Sequence, residues 1–230
     1  VGSENADRLL ASGGNDNLSA GAGDDTVFVA NGNDTLAGGE GNDVLDFRYS
    51  DLSNIAVSLD LSVSGAVASG RGDKTITGFE HIFTGNGEDT IVGAAVAETI
   101  ESGTGADSIV AGGGADSVLG GDQNDTIFGG AGNDILDGGN NDDVIYGDVG
   151  QDSLLGNAGN DTLRGGDADD NLDGGAGDDV IFGDAGDDIL SGGAGNDSLH
   201  GGAGNDTFTH NAEGTDQYYG DAGDDTLTIS

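Results

Sequence analysis

The fold class this sequence predicts is all-β: a parallel β-roll, or solenoid, with two short strands in each 18-residue coil. Three observations predict it. A nine-residue unit repeats through most of the 230 residues, its sixth place is acidic and its eighth place is large and apolar, and glycine crowds the places before them. A period of nine is too short for helical-repeat or propeller units and fits a wound, strand-per-repeat solenoid. The run 174–209 is the clearest, reading GGAGDDVIF, GDAGDDILS, GGAGNDSLH, GGAGNDTFT without slippage.

In chain order, the sixth-place acid falls first at Asp7, Asp16, Asp25, Asp34 and Asp43, with Leu9, Leu18, Val27, Leu36 and Leu45 two places on. The phase lapses there and resumes at Asp89. It then holds through Glu98, Asp107, Asp116, Asp125, Asp134, Asp143, Asp152, Asp161, Asp170, Asp179, Asp188, Asp197 and Asp206, with apolar mates from Ile91 to Phe208. One inserted residue near 211–213 shifts the phase before Asp216 with Tyr218 and Asp225 with Leu227 resume it. The seventh place favours Thr, Ser, Val or Ile, so places seven to nine read as a three-residue strand whose centre points inward. The six places before it are rich in glycine, which permits the positive φ that a sharply turning loop needs. Strands 18 residues apart would then stack in parallel, about 4.8 Å per coil.

The segment 46–88 has a different texture. Ile55 to Leu61 alternates as a strand does, Ser69 to Asp73 reads as a loop, and Thr75 to Thr77 as a return strand. Gly78, Glu80 and Ile82 already stand in the phase of Asp89. Four parts follow: a first repeat block over 1–45, a β-rich excursion ending in a degenerate coil over 46–88, the main roll over 89–209, and an irregular end over 210–230. The excursion is expected to seal the end of one block.

Composition narrows the partners. With 44 acidic and 5 basic residues the net charge is −39, which disfavours nucleic acid and anionic lipid and favours multivalent cations. Without cysteine there are neither disulfides nor thiolate metal sites. No apolar run is long enough to span a bilayer, so no membrane insertion is expected. With 48 glycines and few apolar residues the composition alone resembles that of a disordered chain. The strict period argues otherwise. A start already in repeat phase, with no Met anywhere, suggests a piece or processed product.

Stacking aligns the acids in two columns. Asp107, Asp125, Asp143, Asp161, Asp179 and Asp197 fall in one; Asp116, Asp134, Asp152, Asp170, Asp188 and Asp206 fall in the other. One aliphatic side chain per nine residues does little against the entropy of ordering a glycine-rich loop, and the columns repel themselves. Cations between coils would resolve both problems. Hard oxygen ligands in a flexible loop suit Ca²⁺, because Mg²⁺ demands tighter geometry and keeps its water.

The tandem GGxGxDxUx pattern resembles the nonapeptide of the repeats-in-toxin (RTX) family, a Ca²⁺-binding parallel β-helix signature. The resemblance covers nearly the whole chain except 46–78. It implies that each ion lies between loops 18 residues apart. The earlier loop would give the carbonyls of its second and fourth places and its Asp; the later loop would give those of its first and third places and its Asp. One such set is Gly175, Gly177 and Asp179 with Gly192, Ala194 and Asp197. A second is Asp184, Gly186 and Asp188 with Gly201, Ala203 and Asp206, and a third is Gly112, Gly114 and Asp116 with Gly129, Ala131 and Asp134. Four loops depart from the pattern. Val96 stands where glycine belongs in the loop ending at Glu98, Gln123 and Asn141 replace fourth-place glycines, and Asn5 does so in the first loop. The gap between Glu98 and Asp116 is therefore set aside. Counting the remaining main-block gaps with Asp7–Asp25, Asp16–Asp34 and Asp25–Asp43 gives roughly a dozen ions.

No catalytic motif appears, so the chain is expected not to be an enzyme. His81, His200 and His210 are scattered without zinc-site spacing, no nucleophile turn or phosphate loop is present, and Arg71-Gly72-Asp73 reads as a chance tripeptide. Ninth-place residues should point outward, and one wall then carries Val110, Phe128, Tyr146, Arg164, Phe182 and His200, with Val144 and Val180 alongside. The Phe128/Tyr146/Phe182 face suggests docking of another domain, a glycan or a second copy. The resemblance implies a secreted bacterial protein, extracellular or at the cell surface, that passes a type I exporter and folds on Ca²⁺ outside. It leaves two other roles open: an adhesive or surface-layer module, or an accessory to a secreted protease, lipase or polysaccharide-modifying enzyme.

Overall fold

A computed structural model describes residues 2–48, 56–62, 66–69, 74–210 and 214–229. The chain is all-β and winds into a solenoid of about eleven turns. Among the described residues, twelve strands from Arg8–Ala11 to Thr226–Ile229 form one wall and thirteen from Asn17–Ala22 to Gln217–Ala222 form the other. Consecutive strands alternate between walls. In the main block each strand pairs in parallel with the strand 18 residues away, as Val180 does with Ser198 and Ile181 with Leu199. The step becomes 19 past the insertion, where Ser198 lies opposite Gln217, while residues 211–213 themselves lie outside the described set.

The strands are longer than the three residues that the pattern predicts. Val180–Ala185 and Ser198–Ala203 each span six, running from the seventh place through the third place of the next unit. Glycine in places one and two is therefore part of the strand, not of the turn. Strand alternation then turns two places inward, the eighth and the first. Eighth-place residues from Val27 and Leu36 through Leu199 to Phe208 form the buried core. At the ends of the stack Leu9, Leu18 and Tyr218 are only partly buried, and Leu227 is exposed.

The excursion does not seal a block. The first wall steps directly from Val44–Asp46 to His81–Asn86 in parallel, so it runs unbroken past the interruption. In the second wall three strands fill the same interval: Lys74–Thr77 beside Thr35–Glu40, then Ala66–Ser69, then Ser58–Asp60 beside Thr90–Val92. Ala66–Ser69 is antiparallel to both of its neighbours. A reversing strand lets the chain double back without leaving unpaired edges inside the wall. The strands expected near 55–61 and 75–77 are present; the middle strand, Ala66–Ser69, lies where no element was expected and ends at the first residue of the expected loop. Residues 70–73, with the Arg-Gly-Asp tripeptide, lie outside the described set. Glu80 and Ile82 form the degenerate coil, with Ile82 opposite Leu45 and the Glu80 carboxylate accepting the Asp43 amide at 2.9 Å.

Candidate metal centres

The sixth-place acids line both edges of the roll, where each strand has turned out of its wall. They are buried: Asp125, Asp143, Asp161, Asp179 and Asp197 are each 1% exposed. Each uses one carboxylate oxygen in the same way. Oδ1 accepts the amide N–H of the acid one coil earlier, as Asp143 does from Asp125, Asp161 from Asp143 and Asp188 from Asp170, all at 2.8 Å. The second oxygen is buried and has no hydrogen-bond partner among the described residues. This holds at Asp16, Asp25, Asp43, Glu98, Asp107, Asp116, Asp125, Asp134, Asp143, Asp152, Asp161, Asp170, Asp179, Asp188, Asp197 and Asp206. A buried carboxylate oxygen without a partner is costly, and here the cost repeats at every coil.

From Asp43 onward, burial raises these carboxyl groups first. The backbone N–H bond pulls them partly back, and neighbouring acids push them up again. Asp125 reaches about 8. Glu98, Asp143, Asp170 and Asp179 reach about 7. Asp107, Asp116, Asp152 and Asp188 reach about 6. Asp43, Asp134, Asp161, Asp197 and Asp206 are raised for the same reason.

The space beside each second oxygen is shaped by glycine. A Cβ on Gly147 would stand 2.5 Å from Asp152 Oδ2 and 2.6 Å from the Gly165 carbonyl oxygen; one on Gly129 would stand 2.5 Å from Asp134 Oδ2 and 2.9 Å from the Gly147 carbonyl. The carboxylate of one loop and the first-place carbonyl of the loop above it thus converge where only glycine leaves room. The same convergence joins Asp179 with Gly192 and Asp188 with Gly201. Other carbonyls turn into the same gaps. Those of Gly175 and Gly177 abut Gly193 and Gly195, those of Asp184 and Gly186 abut Gly202 and Gly204, and those of Gly112 and Gly114 abut Gly130 and Gly132. Third-place carbonyls face back across the gap: Ala194 accepts the Gly177 amide at 2.8 Å, Ala203 that of Gly186 at 3.0 Å, and Ala131 that of Gly114 at 2.8 Å. The predicted donors of each set therefore lie between the same two loops, although the third-place carbonyls each spend one lone pair on an amide.

Among the described residues no three acidic or imidazole side chains converge on one point. Any ion held here must draw most of its shell from backbone carbonyls. That donor set, all oxygen and mostly neutral, suits a hard cation such as Ca²⁺.

Residues 1–36, 28–46, 92–127, 119–154, 146–181, 155–190, 182–212 and 212–227 match the RTX calcium-binding nonapeptide repeat (4 copies), well over half of the chain. The chain belongs to the RTX calcium-binding repeat family. No curated protein matches it closely enough to count as a relative. Its repeats are calcium-binding repeats in a parallel β-roll, as the sequence resemblance implied. The unmatched stretch contains the three inserted strands, so the RTX pattern and the regular winding lapse together.

The RTX loops are not all alike. Left-handed φ marks the second and fourth places even without glycine, at Gln123 (81°), Asn141 (80°), Ala168 (82°) and Asp184 (74°). The backbone demand thus overrides side-chain preference. Val96 and Asn5 escape it; neither takes positive φ, so their loops follow another path. Glu98 nonetheless buries its carboxylate in line with the others, one oxygen accepting the Ala94 amide at 2.9 Å. At the far end Asp216 accepts the Asp197 amide, but its second oxygen is taken by the Tyr218 hydroxyl at 2.8 Å and lies 3.2 Å from His210 Nδ1. Asp225 ends the other column, exposed.

Two features escaped the sequence reading. Thr84 and Ser102 occupy the first place, and their hydroxyls donate to the carbonyls of Ser102 (3.1 Å) and Gly120 (2.8 Å). The fifth place carries a second ladder, running in the opposite sense. There the later amide donates to the earlier side chain, as Asn160 does to Asp142 and Asn196 to Asp178, both at 2.8 Å. Its signal was visible as the recurrent Asn or Asp before each acid.

Proposed function

We propose that this chain is a calcium-driven folding module of a secreted bacterial protein, acting by binding and not by catalysis. The observation that carries the reading is the row of buried, unpartnered carboxylate oxygens, several of which, as at Asp125, Asp152 and Asp188, face a carbonyl of the next coil. Asp179 and Asp197 with the carbonyls of Gly175, Gly177, Gly192 and Ala194 would hold one ion; the sets at Asp188 with Asp206 and at Asp116 with Asp134 would hold others. Interior acids would serve two gaps each, for roughly a dozen ions in all. Bound there, Ca²⁺ neutralises the carboxylate columns and ties adjacent loops together.

Without such neutralisation the charge of −39 and the entropy of 48 glycines both favour the unfolded chain. An extended chain can pass a narrow type I exporter. Outside, where calcium is millimolar, mass action over many sites favours the roll. Circular dichroism of the chain at pH 7.5 with calcium and with excess chelator tests this. Most of the β signal should disappear in chelator and return with calcium. A spectrum unchanged by chelator would overturn the reading.

A further inference from the structure

The outward column of the second wall runs from Phe128 through Tyr146, Arg164 and Phe182 to His200 and Tyr219, each opposite the next in parallel register. Most of its rings stack face to face. Phe128 and Tyr146 lie 4.7 Å apart at 3°, Phe182 and His200 4.9 Å apart at 17°, and His200 and Tyr219 4.4 Å apart at 8°. Such stacking hides ring faces and presents only edges.

The row breaks once, at Arg164. Its guanidinium leans toward one neighbour, 5.7 Å from the Phe182 centroid, and pairs through both Nε and Nη2 with the Asp184 carboxylate. Arg164 therefore lies over Phe182 and not over the ring of Tyr146. Among the described residues no ring or cation lies over the second face of Tyr146. Two strand spacings, about 9.6 Å, separate Tyr146 from Phe182. The floor between them includes Gly165 and Gly166, which have no side chains, and the resulting groove has a volume of about 670 Å³.

We propose that this groove binds a pyranose ring of an uncharged or amino-bearing glycan. The apolar C–H face of the sugar would lie on the open face of Tyr146, and its hydroxyls would meet the Arg164–Asp184 pair and the Asp148 and Asp167 rim. One aromatic face beside a fixed fork of donors and acceptors suits a ring that is apolar on its faces and hydroxylated at its edge. The fork would have little to pair with if an apolar side chain filled the slot. Charge narrows the class further. Three carboxylates bound the groove and the chain carries −39, so polyanionic sugars and nucleotides are repelled.

Saturation-transfer NMR on the calcium-loaded full chain tests this with cellohexaose, chitohexaose and a chitosan hexamer, against hexagalacturonate as anionic control. At least one of the first three probes should bind, and Tyr146→Leu should weaken it about tenfold or more. Asp184→Asn should weaken it too, since it breaks the fork but keeps the backbone carbonyl. Tyr219→Leu, on the same row outside the groove, should bind as the parent does. Circular dichroism confirms that each variant still folds with calcium, which separates loss of the groove from loss of the roll. If Tyr146→Leu fails to fold, Arg164→Gln, at an exposed position, decides. Three results would each overturn the proposal: no binding of the three probes at several millimolar, undiminished binding by the groove variants, or preference for hexagalacturonate. Binding of a protein through this face without any sugar binding would do the same.

Discussion

The block from Gly120 to Asp206 and the coils just before it bury the same row of acids but furnish it differently. From Gly120 onward the first place is glycine at every unit as far as Gly201. In the earlier coils it is filled by Ala11, Ala20, Val29, Thr84, Ser102 or Ala111, all fully buried, with Gly38 and Gly93 between them. There the side chain packs inward, or its hydroxyl takes up the carbonyl that would otherwise face the gap. The later block has no such substitute. Its carboxylates and carbonyls confront each other across space that only glycine leaves. The difference teaches that one winding tolerates two furnishings beside the acid, a packed side chain in the first place or the open space that glycine leaves. The acid alone does not say which applies.

Protons offer the strongest way to separate the two. In the metal-free fold Asp125, Asp143, Asp170 and Asp188 rise to about 6 to 8, whereas unfolded carboxyls titrate near 4. A raised carboxyl stabilises the fold in its protonated form. That contribution is complete below about pH 4 and is lost as pH climbs through the folded values of 6 to 8. In excess chelator the chain should therefore gain β structure between pH 8 and pH 5. With calcium the trend reverses, because ligands must shed protons to bind, so the calcium midpoint should rise in acid. Circular dichroism gives the totals, and hydrogen exchange should place the acid-dependent protection in 120–206 more than in 2–48. Equal gains in both regions would break the comparison.

Filling one cradle tests it at a single coil. Gly147→Ala puts a methyl group between Asp152 Oδ2 and the Gly165 carbonyl, one of which is backbone and cannot turn away. The calcium-loaded roll should lose about 3 kcal/mol, with at least one ion fewer by elemental analysis. Gly13→Ala is the matched control: it meets nothing within 4 Å and its φ is ordinary, so stability should stay within about 0.5 kcal/mol of the parent.

A smaller effect should follow from repairing the poor loop at 93–98. Val96 does not adopt the left-handed conformation that its place requires elsewhere, and the acid there is the longer Glu98. Val96→Gly together with Glu98→Asp should add about one bound ion, read by calorimetric stoichiometry. An unchanged count would mean that Glu98 already serves, as its buried, unpartnered Oε2 and a pKa near 7 allow.

Much of this was legible in the sequence because the period carries it. The phase of Asp107 and Ile109 fixed which residues stack, and the single insertion near 211 reappears as a register of 19 between Ser198 and Gln217. Glycine at places two and four correctly signalled left-handed backbone, since Gln123 and Asn141 are forced into it. Two things were not legible. Strand length was misjudged because glycine reads as a turn residue, whereas Gly183 continues its strand under the constraint of the Asp188 carboxylate. The inserted strands were unreadable as topology, because nothing local to Ala66–Ser69 says that it pairs antiparallel between Ser58–Asp60 and Lys74–Thr77.

The end of one column supplies the smallest and most discriminating test. Asp216 shows a protein-only answer to the problem that the interior acids leave open. Its second oxygen takes the Tyr218 hydroxyl at 2.8 Å, and His210 Nδ1 stands 2.9 Å from that same hydroxyl. Burial and the adjacent Asp216 carboxylate push the Tyr218 hydroxyl well above its ordinary pKa, so it stays a donor at any physiological pH. Tyr218→Phe keeps the ring that packs edge-on against Phe208 and removes only that donor. The calcium-loaded roll should lose about 1 kcal/mol, the net worth of one hydrogen bond. If Asp216 closes its column through Tyr218, its second oxygen is left with His210 Nδ1 at 3.2 Å as its one remaining contact, and the stability of the variant should depend more steeply on calcium concentration than that of the parent. A loss independent of calcium would assign Tyr218 to packing alone and leave the column with no protein terminus.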